Sequence, residues 1–330
     1  MNFDEIEQYA IDNISNKKTH LFNYHFNEIN VRINKHPFST SIIQSCYFVE
    51  QRIEGYSKRF IDKLSSIDHK NKEHYDQLLQ HIAELIVVSH LGKKLGKEWI
   101  FEEEPTAEGS KKNPEVSIFN GELKILVEVK SPRFHDYQSK RTNSGLQIPT
   151  RVNNGFKETI ESVFGTKAAL PRDNIVKDFL LSANEKFKFF KIADENILSV
   201  LVIVWDDFIY EPISALKNNF SGLITEQSYF REDGKAVKFQ YIDNIILLRH
   251  MTQVKRATID LPVTDGLKHP LDYGERGKSL PKSLLTINEH SQRDILFDIF
   301  ECEKQEDLEL FAEYKPQDTI IWYKLDKTTL

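Results

Sequence analysis

The chain has 330 residues, of which 40% are hydrophobic and 28% charged, and its formal net charge is −6. This composition is that of a globular protein with a sizeable core, and it excludes a protein that coats nucleic acid through a uniformly basic surface. No apolar run approaches the roughly 18 residues of a membrane span, and the acidic start MNFDEIEQ lacks the features of a signal peptide. We therefore expect a cytoplasmic protein without a membrane partner.

The chain is predicted to begin with a helical N-terminal region, residues 1–70. The segments DEIEQYAIDNI and CYFVEQRIEGYSKRFIDKLSS both carry apolar residues three or four positions apart, which is typical of amphipathic helices. Cys46 in the second segment and Cys302 near the end of the chain have no metal-ligand spacing, so we expect two reduced thiols.

Residues 71–250 show a regular alternation of predicted helices and strands. The segment HYDQLLQHIAELIVVSHLGKKLG has helical periodicity and ends at a glycine, and KEWIFEEEP, PEVSIF and LKILVEVK follow as strands. The helix RDNIVKDFLLSANEKFKFF, the covered strand ILSVLVIVW, a helix from about Pro212 and the strand DNIILLR complete the series. This order predicts an α/β fold with a mixed sheet flanked by helices.

Residues 251–330 are predicted to form a C-terminal extension. The chain is irregular after Arg249, and a last helix, RDILFDIFEC, and a terminal strand, TIIWYKL, follow. The sequence leaves open whether this extension is a separate domain.

An Asn-Gly pair at 120–121 lies between two strand-like runs and predicts a two-residue hairpin turn. That turn would set Phe119 opposite Glu122 and Glu115 opposite Leu126. Side chains alternate across a strand, so one face of the second strand would be apolar and the other would carry Lys124, Leu126, Glu128 and Lys130. Glu115 would lie diagonal to Glu128, and two carboxylates and an ammonium group would converge.

Glu84 lies within IAELIVV, where its helical neighbours are apolar, so we expect its side chain to be at least half covered. A covered carboxylate needs a partner, and a divalent cation held by Glu115 and Glu128 would supply one. Such an ion lowers the pKa of a bound water and neutralises charge on a phosphate, while Lys130 could orient the nucleophile. This is the chemistry of phosphodiester hydrolysis.

Six bases occur between residues 130 and 157, in a segment rich in Ser, Asn, Gly and Pro that we expect to be an irregular loop. Arg133, Lys140, Arg141 and Arg151 are the candidate phosphate contacts. An ordinary solvated loop explains the same residues equally well.

Other polar residues are weaker candidates. Asp206 and Asp207 follow a strand and could serve a different α/β hydrolase, but capping the next helix is the commoner role. The acidic run 102–104 could lend a ligand, His135 could touch a phosphate, and Lys177 could face the site or the solvent.

Pro114-Glu115, then Glu128-Val129-Lys130 after a hairpin, preceded by a helix bearing Glu84, resembles the PD-(D/E)xK nuclease superfamily, the restriction-endonuclease-like fold. The resemblance covers about residues 72–250. It implies that Glu115 and Glu128 bind the metal together with the carbonyl of Val129, that Lys130 is the catalytic lysine, and that Glu84 matches the acid on the first helix. Where the family usually has an aspartate after the proline, this chain has Glu115.

The resemblance also implies a Mg²⁺-dependent endonuclease, with Mn²⁺ as a substitute, that cleaves DNA in restriction or antiphage defence. A homodimer and a defence-system partner protein are further expectations from the family. Two alternatives remain: a non-catalytic nucleic-acid-binding or regulatory module on the same fold, and a hydrolase centred on Asp206 and Asp207.

Overall fold

The computed structural model describes residues 1–67, 72–318 and 323–324. The strands are β1 (Ile100–Glu103), β2 (Val116–Phe119), β3 (Lys124–Lys130), β4 (Leu146–Gln147), β5 (Ala168–Ala169), β6 (Leu198–Trp205), β7 (Arg231–Glu232), β8 (Lys235–Ala236), β9 (Asn244–Arg249), β10 (Ser283–Thr286), β11 (Glu303–Lys304) and β12 (Tyr323–Lys324). The α-helices are α1 (Phe3–Ala10), α2 (Asn23–Phe26), α3 (Pro37–Glu50), α4 (Tyr56–Ser65), α5 (Lys72–Lys94), α6 (Phe134–Thr142), α7 (Asn154–Phe164), α8 (Asp173–Ala193), α9 (Tyr210–Lys217), α10 (Met251–Ala257), α11 (Ile295–Ile299) and α12 (Gln305–Leu308).

A seven-stranded mixed sheet forms the centre of the molecule, in the order β1-β2-β3-β6-β9-β10-β11. Strands β1, β2 and β3 form an antiparallel meander, and β3, β6 and β9 run parallel. Helix α8 connects β3 to β6 and helix α9 connects β6 to β9, as crossovers between parallel strands require. The predicted α/β class and the order of these elements are confirmed.

Both faces of the central sheet are covered. Ile125, Val127 and Val129 of β3 belong to one core cluster, which includes residues of α3 and α5. Leu126, on the opposite face of β3, packs into a second cluster with residues of α8 and β6. A charged side chain in the buried part of this strand therefore needs a partner inside the protein.

The hairpin between β2 and β3 has a longer turn than the Asn-Gly pair predicts. Strand pairing places Phe119 opposite Lys124, so four residues, 120–123, form the connection. The Asn120 side-chain oxygen accepts the backbone N–H groups of Glu122 and Leu123 at 3.0 and 2.8 Å, which stabilises this wider turn. The register moves by two residues, and because the side-chain period is two, each side chain keeps its predicted face.

The segment CYFVEQRIEGYSKRFIDKLSS, which is predicted to be helical, contains the end of α3 and all of α4. The break between these helices contains Gly55, whose φ of +74° is unfavourable for other residues. Phe38 from the N-terminal region, Ile86 from α5 and Leu296 from the C-terminal extension all belong to the same core cluster. The three predicted regions thus pack on one another, and their boundaries as domains stay a prediction.

The basic segment after β3 is not an irregular loop, as its composition predicts, because it contains helices α6 and α7. The buried Asp76 side chain of α5 accepts the backbone N–H groups of Phe134 and His135 at 2.8 and 3.0 Å, at the start of α6. The capping residue is 58 positions away in the sequence, so no local sequence pattern predicts this cap.

The C-terminal extension adds strands to the central sheet. Strand β10 pairs antiparallel with β9, and β11 pairs parallel with β10. The predicted last helix is present as the shorter α11. Most of the predicted terminal strand, residues 319–325, lies outside the described residues, and within it β12 pairs with β4.

No helix in the described part of the chain combines the length and the hydropathy that a membrane span requires.

Replacing Asp76 by alanine removes both acceptors at the start of α6. We expect Asp76→Ala to lower the free energy of unfolding by about 1–2 kcal/mol, measured by urea denaturation. Asp76→Asn retains a side-chain oxygen and is the matched control, with a smaller loss. Equal unfolding midpoints for Asp76→Ala and the wild type would show that the cap contributes nothing.

Candidate functional site

Glu128 is at the centre of a cluster that contains three of the predicted site residues. Glu128 in β3 is fully buried, and the Lys130 Nζ lies 2.7 Å from its Oε1. Lys186 of α8 places its Nζ 2.8 Å from Oε1 and 2.9 Å from Oε2 of Glu128, and 3.6 Å from Oε1 of Glu115. The predicted convergence of Glu115, Glu128 and Lys130 is present, and Lys186 joins it.

Lys186 is a residue that the sequence reading missed. It lies on α8 beside Ala183, Phe187 and Phe190, which form part of the buried stripe of this helix. A lysine between such neighbours is directed toward the sheet rather than the solvent, and its side chain is only 17% exposed. This position could have been identified from the sequence, because residues at i−3, i+1 and i+4 lie around residue i on one face of a helix.

The two oxygens of Glu128 are held differently. Oε2 accepts a hydrogen bond from Lys186 Nζ at 2.9 Å. Oε1 lies within ion-pair distance of both ammonium groups, yet it has no hydrogen bond of acceptable geometry and is buried from solvent. The attraction at Oε1 is therefore coulombic, and this oxygen is a donor of the type that hard divalent cations bind.

Glu84 approaches the cluster from α5. Its carboxylate contacts His81 Nδ1 at 3.0 Å, and its side chain is 21% exposed, as the apolar neighbours predict. Glu84 and Glu115 line the same narrow cavity. Burial, followed by the negative charges of Glu84 and Glu128, raises the pKa of Glu115 to about 8. The ionisation of Glu115 is therefore coupled to the charges of Glu84 in α5 and Glu128 in β3.

Helix α4 of the N-terminal region closes the other side of this cavity. Arg59 forms an ion pair with Glu103, and Lys63 pairs with Glu104 at 3.3 Å. Two acids of the run 102–104 are thus paired with cations of the N-terminal region. The position of the N-terminal helices beside Glu115 is a tertiary feature that no local pattern in the sequence indicates.

The residues expected to hold a metal fit a hard divalent ion in donor type, and the buried Oε1 of Glu128, which accepts no hydrogen bond, is the observation that supports this fit. Val129, expected to offer its carbonyl, lies between Glu128 and Lys130 in β3. Glu84, Glu115 and Glu128 do not bring their ligand atoms within 4.8 Å of one another as a group of three. Any ion here would be held by two carboxylates rather than three.

His25, His36 and Asp260 are the group that meets this distance among the described residues. The Phe38 N–H donates to His36 Nδ1 at 3.2 Å, so the His36 proton resides on Nε2, 2.7 Å from Asp260 Oδ1. This tautomer leaves His36 without a lone pair for a metal. We interpret the group as a hydrogen-bonded contact between the N-terminal region and the C-terminal extension.

The predicted phosphate contacts differ in accessibility. Arg133, Lys140 and Arg151 are exposed, and Arg151 also pairs with Asp173 and stacks 3.7 Å from the ring centroid of Tyr229. Arg141 is 4% exposed, and its guanidinium stacks 3.5 Å from the ring centroid of Phe208. Arg141 is therefore a packing residue in this structure rather than a surface contact.

A large cleft is lined by the accessible predicted bases and by further basic residues. Its basic lining residues are Arg133, Lys140, Arg151, Lys157, Lys167 and Arg172, and its acidic lining residues are Glu161 and Asp173. The excess of positive charge makes this cleft suited to a polyanion.

The rival candidates have structural partners. Asp206 pairs with Arg172 at 2.9 Å and accepts the Phe208 N–H at 3.1 Å, so it turns the chain after β6. Asp207 pairs with Arg249 at 3.2 Å. Lys177 pairs with Asp178 at 3.3 Å, away from the cluster around Glu128.

The His135 backbone N–H is part of the α6 cap. Its side chain is half buried, and the expected phosphate contact stays a prediction.

No protein-family model, curated protein or solved structure gives a significant match to this chain.

The raised pKa of Glu115 predicts a pH-dependent stability in metal-free buffer. The folded state holds this proton up to about pH 8, whereas an ordinary glutamate loses it near 4.5. The stability from this group is therefore fully present below pH 4.5 and lost as the pH rises through about 8. We expect Glu115→Gln to melt at a higher temperature than the wild type at pH 8, with the difference shrinking toward pH 5.

Thermal melts of both proteins in EDTA across this range measure the effect, and Glu122→Gln at the exposed hairpin turn is the control. A difference that is constant with pH would contradict the assignment to Glu115.

Proposed function

We propose that this protein is a metal-dependent endonuclease of the restriction-endonuclease-like class that hydrolyses phosphodiester bonds in DNA. The observation that supports this proposal is the convergence of Glu115, Glu128 and Lys130 where the start of β2 lies beside the end of β3. A fully buried carboxylate in a covered strand is costly for folding, and a site that tolerates it is a candidate for chemistry.

Each residue has a defined role in this proposal. Glu115 and Glu128 hold Mg²⁺, or Mn²⁺ in its place, with the carbonyl of Val129 as a further ligand. The bound ion supplies Lewis-acid chemistry, lowering the pKa of a water and offsetting phosphate charge. Lys130, 2.7 Å from Glu128, is close enough to orient the attacking water and stabilise negative charge on the phosphate. Glu84 supports the site through its electrostatic coupling to Glu115.

The DNA backbone would approach along the basic cleft. Arg133 follows Lys130 by three residues, so the bases of the cleft begin next to the proposed catalytic lysine. Arg133, Lys140 and Arg151 are exposed, and Arg151 could contribute once its pairing with Asp173 is exchanged for a phosphate. A cytoplasmic location, a role in restriction or antiphage defence, a homodimer and a defence-system partner belong to the same proposal through the family resemblance.

One observation favours the second candidate, a non-catalytic nucleic-acid-binding or regulatory module. Lys130 and Lys186 together neutralise Glu128 without any metal, so the carboxylate has a sufficient structural explanation. A module of this kind would bind DNA in EDTA and would be insensitive to loss of the Glu128 charge.

A cleavage assay separates the two functions. Plasmid and linear DNA are incubated with the protein in Mg²⁺, Mn²⁺ or EDTA, and we expect cleavage with either metal and none in EDTA. Lys130→Ala and Glu128→Gln should reduce the rate by about a hundredfold or more, because each removes a group at the reacting phosphate. Asp207→Ala is the matched control. Cleavage in EDTA, or a loss confined to Asp207→Ala, would reject the nuclease site proposed here.

A binding titration in EDTA tests the cleft. Lys140→Ala should weaken DNA binding uniformly across sequences and reduce the slope of log K against log salt by about 1, because one phosphate contact is lost. Lys238→Ala removes an exposed lysine that does not line the cleft and serves as the control. An equal effect of both substitutions would show that only net charge matters.

A further inference from the structure

Lys186 contacts both carboxylates that the proposed function assigns to the metal. Its Nζ lies 2.8 and 2.9 Å from the two oxygens of Glu128 and 3.6 Å from Glu115. Lys130, by contrast, pairs with Glu128 alone among the described residues. Lys186 therefore bridges the two acids in the way that a shared cation would.

The environment of Lys186 keeps its ammonium in this position. It lies among the apolar residues Ala183, Phe187 and Phe190 of α8, and its side chain is 17% exposed. An ammonium group moved elsewhere in the core would therefore have no opposite charge to offset its burial. The contacts with Glu128 and Glu115 compensate the charge where it lies.

The cluster already contains two cations without a metal. The ammonium groups of Lys130 and Lys186 lie against Glu128, and Lys186 also reaches Glu115, so a divalent ion added to this arrangement would be the third cation on two carboxyl groups. Like charges this close repel one another strongly when the site is shielded from solvent. A metal that binds both carboxylates must therefore displace the ammonium that bridges them.

We propose that Lys186 is a positioning residue that holds Glu115 and Glu128 together in the metal-free protein and competes with the divalent cation for them. The inference rests on the proposed function, since it takes these two acids as the metal ligands. It assigns different tasks to the two lysines: Lys130 remains beside Glu128 when the ion binds, and Lys186 withdraws.

The test is a measurement of Mn²⁺ affinity by isothermal titration calorimetry on the full chain. Lys186→Met retains length and apolar packing but removes the charge, and we expect it to bind Mn²⁺ about tenfold more tightly or better than the wild type. Its metal-free melting temperature should fall, because one partner of the buried Glu128 is lost. Lys186→Arg keeps the cation and should restore an affinity close to that of the wild type.

Two further variants make the comparison specific. Lys177→Met removes a lysine of the same helix that pairs with Asp178, and it should leave the affinity unchanged. Lys130→Met should change the affinity less than Lys186→Met, since Lys130 does not bridge the acids. A purely structural role for Lys186 predicts weaker metal binding in Lys186→Met, and that result, or equal gains in both lysine variants, would overturn the inference.

The outcome is separable from that of the cleavage assay. Tighter Mn²⁺ binding by Lys186→Met without any DNA cleavage supports the competition and rejects the nuclease. Metal-dependent cleavage with unchanged affinity in Lys186→Met rejects the competition and leaves the nuclease standing. Absence of Mn²⁺ binding in the wild type and in folded Lys186→Met rejects both.

Discussion

A fully buried carboxylate, Glu128, in the middle of a sheet covered on both faces is the constraint on which the site depends. Removing a carboxylate from water costs several kcal/mol, and the cost is tolerable only when opposite charges are placed against it. Lys130 supplies one charge from the same strand, and Lys186 supplies the other from α8. Packing of α8 on the sheet and neutralisation of Glu128 therefore depend on each other.

The same constraint explains the arrangement of the neighbouring acids. Glu115 lies immediately before the first residue of β2. There it is close to the Lys186 ammonium, and the negative charge of Glu84 acts on it from α5. Burial is the main reason that its proton is retained to a higher pH than usual, and the negative charges of Glu84 and Glu128 add to this effect. A divalent cation beside Glu115 would favour its ionised form, which is the physical basis for proposing a metal-binding function.

Local patterns accounted for much of the architecture because they depend on near neighbours. The apolar alternation of β3 placed Glu128 and Lys130 on one face, and the helical periodicity around Glu84 indicated its partial burial. The length of the hairpin turn was wrong because Asn120 caps a wider loop with its own side chain. The register of β2 and β3 differs from the predicted one by two residues, which leaves every side chain on its predicted face. The predicted convergence is therefore present, although the residue pairs differ from those predicted.

The sequence by itself determined the α/β class, the order of the central elements, and the presence of two acids and a lysine on one strand pair. The tertiary structure alone decided that Lys186 bridges those acids, that Asp76 begins α6, and that Arg141 is buried against Phe208. The physical reason is the range of the interactions involved. Periodicity and turn chemistry act over a few residues, whereas ion pairs, distant caps and aromatic stacking join residues that only the packed layers bring together.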